Sequence, residues 1–144
     1  MIDPERPTLQ LSAHCACGEV SVAVDGRVRF MLLCSCRDCQ QATGTGHSAV
    51  ACVSRAAVTV TGAVKSFARP AASGAIFTRH FCPDCGTPLF GTSSRAPELM
   101  MLPAGLFGDN SDWFSPSQLI FARTHRQWDT LPEHLPRSPT YPDT

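Results

Sequence analysis

No stretch of the 144 residues is apolar for long enough to cross a bilayer, which excludes a protein anchored by a membrane-spanning helix. Neither sign of charge accumulates. Lys and Arg together number 12, as do Asp and Glu, and the net charge of +0 leaves neither a basic stripe for nucleic acid nor an acidic tail. Lysine is almost missing: Lys65 stands alone, and every other basic residue is an arginine, whose forked guanidinium suits carboxylates. The amino-terminal run Met1-Ile2-Asp3-Pro4-Glu5-Arg6-Pro7 lacks a basic start followed by an apolar core, so it does not read as a secretory leader. No repeat of fixed period appears beyond the cysteine pairs. Together these absences predict a cytoplasmic protein with no membrane or nucleic-acid partner. Its residues 1–144 would form one domain, with a core small enough for a metal clamp to help.

What the chain does have is cysteine, eight of them, closely spaced. In a reducing compartment such spacings point to metal rather than to disulfides. Cys34-Ser35-Cys36-Arg37-Asp38-Cys39 gathers three thiols in six residues and supplies no fourth. A structural zinc closes all four positions with protein ligands, whereas a working zinc commonly uses three and leaves one for substrate. Cys15-Ala16-Cys17-Gly18 and Cys82-Pro83-Asp84-Cys85-Gly86 provide the four sulfurs of a closed site, with Gly86 letting the chain leave its turn. Two zinc ions per chain follow. Cys52 leaves two readings: it closes a second structural site, or it is buried apolar filling and the fourth position is open. Its setting, Ala49-Val50-Ala51-Cys52-Val53, favours the second. His14, His47, His80, His125 and His134 are weaker candidates for that position, since a lone histidine more often satisfies itself by hydrogen bonds.

An open centre of this kind has a definite chemistry. Three thiolates on Zn²⁺ carry a net charge near −1, which makes the metal poor at activating water but still able to hold an incoming thiol as its thiolate. Reaction of that thiol with an electrophile fits better than hydrolysis. Burying the added charge needs compensation, expected from backbone N–H groups around Cys36 to Cys39 and from Arg37, with Asp38 turned to solvent.

Alternating apolar residues predict strands over Thr8 to His14 and Glu19 to Val24, with the Cys-x-Cys-Gly turn between them. Asp25-Gly26 reads as a hairpin turn, followed by a strand from Val28 that delivers Cys34 at its end. Cys36 to Thr43 suits a short helix closed by Gly44 and Gly46. Further strands are expected over His47 to Val53, Ala57 to Thr61, Ala75 to Phe81, Thr87 to Thr92, Leu99 to Leu102 and Gln118 to Arg123. Val64 to Phe67 precedes a turn at Pro70 to Gly74, and Gly108 to Pro116 reads as a loop. From Leu131 to Thr144 the prolines forbid regular structure and imply a tail laid over the surface. The fold class is mainly β, with little helix.

These residues resemble the glutathione-dependent formaldehyde-activating family, which includes a centromere-protein-V-like branch. The likeness rests on His14-Cys15-Ala16-Cys17-Gly18-Glu19-Val20, on Cys34-Ser35-Cys36-Arg37-Asp38-Cys39-Gln40-Gln41-Ala42-Thr43-Gly44, and on Arg79-His80-Phe81-Cys82-Pro83-Asp84-Cys85-Gly86-Thr87-Pro88-Leu89-Phe90. His125-Arg126-Gln127-Trp128 and the proline-rich end are similar to the family's tail. The resemblance implies a β-tent of short antiparallel sheets, shared with Rab-exchange-factor-like proteins. It implies a structural zinc on Cys15, Cys17, Cys82 and Cys85 and a second zinc on Cys34, Cys36 and Cys39. It also implies carbon-sulfur lyase activity joining glutathione, or another small thiol, to formaldehyde. Ala16 and Ser35 stand where the family often has histidine, and Gln40 and Gln41 where it often has a basic residue. The other function class that fits two zincs is a non-catalytic interaction module, chaperone-like or chromatin-binding, with both ions structural.

Overall fold

The computed structural model describes residues 6–142; the leader reading over Met1 to Glu5 and the end of the proline-rich tail, Asp143 and Thr144, lie outside them. The chain is mainly β, as its alternation predicts, and is arranged in two sheets. β1 (Thr8–His14), β2 (Ser21–Arg27) and β5 (Val58–Thr61) form the smaller sheet, antiparallel in the order β1-β2-β5. The larger sheet comprises β3 (Phe30–Cys34), β4 (Ser48–Ser54), β6 (Lys65–Pro70), β7 (Ile76–Phe81), β8 (Pro88–Ser93), β9 (Leu99–Pro103) and β10 (Leu119–Ile120). Its order is β10-β3-β4-β9-β8-β7-β6, antiparallel except where β10 runs parallel to β3. The single α-helix among the described residues, α1 (Arg37–Thr43), follows β3 and ends on Gly44 in the left-handed region.

Alternation places Leu9, Ala13, Val22 and Val24 on the inner face of the small sheet. They share one buried cluster with Met31, Ala51, Val53, Leu89, Met100 and Leu102 of the large sheet, so the two sheets cover each other's apolar faces. No helix of the described residues is long and apolar enough to span a membrane.

Several boundaries differ from the expectation. Asp25-Gly26 makes no hairpin: both residues lie inside β2, paired with Gln10 and Leu9, and the following strand belongs to the other sheet. Glycine is needed there for close approach, since a Cβ on Gly26 would sit 2.6 Å from the Cβ of Ala57. Gln118 to Arg123 shortens to the two residues of β10, because Phe121 takes a positive φ of 55° and a 3₁₀ turn, Ala122–Thr124, follows. Part of the expected loop at Gly108 is also 3₁₀, over Ala104–Asn110. β6 runs on to Pro70, past the expected Phe67, before the turn at Ala71 to Gly74. The proline-rich segment is tied down more firmly than a surface strap: Leu119 donates to Pro136 and accepts from Ser138, while Leu135 is buried against Leu33 and Leu119.

Candidate metal centre

Two tight turns carry the four-cysteine cluster. After β1 the chain reverses through Cys15 to Val20, with Cys15 N–H donating to Val20 C=O at 2.9 Å and Gly18 at a φ of 82°. After β7 it reverses through Cys82 to Thr87, with Cys82 N–H donating to Thr87 C=O at 3.0 Å and Gly86 at a φ of 78°. Both glycines occupy left-handed positions that side chains disfavour. Cys15 and Cys17 thus converge through a turn. The two turns meet where Ala16 N–H donates to Thr87 Oγ1 at 3.0 Å.

The sulfurs of Cys15, Cys17, Cys82 and Cys85 then lie within 4.8 Å of one another, with Cys17 3.6 Å from both Cys15 and Cys82. A tetrahedral zinc with bonds of about 2.3 Å wants sulfurs about 3.8 Å apart, a spacing this cluster can meet. Val20 N–H donates to Cys15 Sγ at 3.2 Å, and the Thr87 hydroxyl and amide hold the Cys85 thiol down at about 5. Since Cys15 and Cys17 follow a strand of one sheet and Cys82 and Cys85 a strand of the other, the cluster bridges the two sheets.

Cys34, Cys36 and Cys39 form the second cluster, also within 4.8 Å of one another. Cys34 ends β3, Cys36 is the N-cap of α1, and Cys39 lies in the first turn of that helix. The cap is the thiol itself, Cys36 Sγ accepting from Cys39 N–H at 3.3 Å. Hydrogen bonds from Cys34 and then Cys36 hold Cys39 down at about 2, with the Ser48 hydroxyl and the Arg79 guanidinium helping against burial. Cys34, donating to those partners in a buried place, is pushed well up. The Ser48 hydroxyl is buried at this group, and its one electrostatic partner there is the Cys39 sulfur.

The backbone of the cluster is stapled from behind. Gln40 Nε2 donates to Ser35 C=O at 2.8 Å and to Thr124 C=O at 3.0 Å, while Thr124 Oγ1 donates to Ser35 C=O at 2.8 Å. Gln40, noted in the sequence only as a departure from a basic residue, is therefore a loop anchor.

Cys52 belongs to neither cluster. It lies on β4 four residues beyond Ser48, which pairs with Cys34, and so is about 13 Å along the strand from the three thiols. It is fully buried, and burial pushes its thiol up to about 12. None of the five histidines joins either cluster; His47 and His125 instead face Asp129, at 2.8 and 3.6 Å.

Two of the nearby charges come from other strands. Arg37 is exposed. Asp38 does not point freely to solvent but pairs with Arg69 of β6. The guanidinium at the cluster is Arg79 of β7, whose Nη2 lies 3.9 Å from Cys39 Sγ. Sequence reasoning had a weak signal for it, the arginine excess, but no means of knowing which one a cross-sheet contact selects.

The profile of a family described as glutathione-dependent formaldehyde-activating enzyme matches residues 10–124, which takes in both clusters. A Penicillium rubens protein, named provisionally as a glutathione-dependent formaldehyde-activating enzyme, is 37% identical over 82 residues. That match spans 57% of this chain and only 42% of the fungal protein. Among solved structures, the crystal structure of a Rhodobacter sphaeroides protein superposes with a TM-score of 0.54 over 68% of this chain and 88% of that one. At 17% identity this is a likeness of fold.

Proposed function

Because the chain belongs to the glutathione-dependent formaldehyde-activating family, we propose that it is a cytoplasmic zinc-dependent carbon-sulfur lyase. Its substrates would be glutathione or another small thiol and formaldehyde or a related electrophile. Cys15, Cys17, Cys82 and Cys85 would hold a structural zinc, and Cys34, Cys36 and Cys39 a second zinc, both within one domain. The observation that carries this reading is the three-sulfur cluster with no fourth protein ligand beside it among the described residues. A zinc ion there would supply a place for the substrate sulfur and lower its pKa.

The chain's own groups do the rest. Cys39 N–H and the buried Ser48 hydroxyl face the sulfurs and offset their charge. Arg79 brings its guanidinium to 3.9 Å from Cys39 Sγ. In the forward direction a bond forms between the substrate sulfur and the aldehyde carbon, and the C=O π pair moves onto oxygen. That oxygen takes up a proton to replace the one the thiol released. No oxidant or reductant is needed, and cleavage is the reverse.

Magnetisation exchange between carbon-labelled formaldehyde and its glutathione adduct tests this. The protein should accelerate the exchange, and Cys36→Ser should abolish the acceleration while retaining the structural metal. Exchange no faster than in buffer, for glutathione and for cysteine alike, would favour the interaction module.

A further inference from the structure

Alternation along the β6–β7 hairpin puts Phe67, Arg69, Phe77 and Arg79 on one face, with Phe67 paired to Arg79 and Arg69 to Phe77. That face leans over α1, and between them is a cavity of about 200 Å³ lined by Asp38, Gln41, Ala42, Phe67, Arg69 and Arg79. A larger depression of about 500 Å³ lies elsewhere, contains no sulfur and no cationic group, and is bordered by Asp109 and Asp112.

The cavity's charges are not equivalent. Arg69 is committed to Asp38. Arg79 has no carboxylate partner among the described residues; it touches Cys39 Sγ at 3.9 Å and its guanidinium stands over the Phe77 ring at 5.3 Å. A guanidinium has five N–H donors, so one long contact to sulfur leaves a fork free. Phe77 is itself packed against Gly91, where any side chain would collide with the ring, and this fixes the platform under Arg79. Phe67, 62% exposed, walls the other side with unpartnered apolar surface.

Resting on the thiol-binding reading above, we propose that Arg79 is the carboxylate anchor of the substrate and that the cavity selects an acidic thiol. One guanidinium spans the distance between the three-cysteine cluster and the cavity. A molecule whose sulfur joins the cysteines can therefore reach Arg79 with a carboxylate carried on a short carbon chain. The Asp38–Arg69 pair keeps the second arginine neutralised, so Arg79 alone is left to take one carboxylate, and a cationic thiol is disfavoured beside it. The volume is below the about 300–1,000 Å³ of ordinary ligand sites, so it encloses the acidic end alone.

Titration of the cobalt-substituted protein tests the assignment, reading the sulfur-to-cobalt charge-transfer band with mercaptopropionate and with its neutral amide. Mercaptopropionate should half-saturate at a concentration about tenfold lower, the scale of a charge-assisted fork. Arg79→Gln also removes the guanidinium beside Cys39 and so should weaken both ligands, but it should bring the acid-to-amide ratio of half-saturations close to one. If that variant does not fold, the wild-type acid-to-amide ratio decides alone, and it should shrink with added salt. Equal half-saturation by acid and amide in the wild type overturns the anchor and leaves thiol binding standing. A band that no thiol changes, glutathione included, overturns the thiol reading itself.

Discussion

At the residue scale, the eighth cysteine separates an open centre from a closed one. Cys52 is sealed between Phe30 and Met101 on neighbouring strands, and its thiol is held neutral by burial. Cys52→Ala should cost about 1 kcal/mol of stability and leave both metals bound, as judged by denaturant melts and metal analysis. Loss of one metal would mean that the cluster needs it. Gln40 acts on the other side: its amide holds Ser35 and Thr124 together behind the three thiols. Gln40→Ala should weaken metal binding at Cys34, Cys36 and Cys39 by about tenfold without touching the other site, which a competitive chelator titration resolves. The apolar run around Cys52 announced its burial in the sequence. The work of Gln40 did not show, because its partner Thr124 is 84 residues away. Arg37 and Arg79 look alike in the sequence, and only the placing of β7 beside α1 gives the contact with Cys39 to the second.

At the element scale, the two clusters differ in what they join. Cys15 and Cys17 leave the small sheet and Cys82 and Cys85 leave the large one, whereas Cys34, Cys36 and Cys39 span one strand end and one helical turn. Structural zinc contributes about 10–16 kcal/mol in small peptides, comparable to the whole stability of a domain. Cys82→Ser should therefore unfold the chain or lower its melting temperature sharply, while Cys36→Ser should lose one metal and keep a cooperative melt. Equal destabilisation by the two changes would contradict the division. The elements themselves were largely legible, because period-two alternation such as Leu9, Leu11, Ala13 is a local signal of a half-buried strand. Where reading failed, a distant contact overrode the local pattern: Asp25-Gly26 has turn chemistry, yet Ala57 and the pairing with β1 hold it in a strand. The parallel pairing of β10 with β3 had no local signature, since it depends on the segment around Pro136 to Ser138 closing over it.

Taken as a whole molecule, the chain is two sheets whose turns bring four sulfurs together, with three further sulfurs at the end of β3 and the start of α1. The spacing of the cysteines made both groups readable, because metal ligands in turns are set by a few residues of local chain. What that spacing could not supply is the surrounding charge, Arg79 and the Asp38–Arg69 pair, which three separate elements bring together. An open three-sulfur centre is the central claim, and counting sulfurs around the metal addresses it without relying on catalysis. X-ray absorption at the zinc edge of the protein as purified should give an average sulfur number midway between three and four. Adding the substrate thiol should raise it to four. An average of four before any thiol is added, or a value that no thiol moves, would contradict an open centre at Cys34, Cys36 and Cys39.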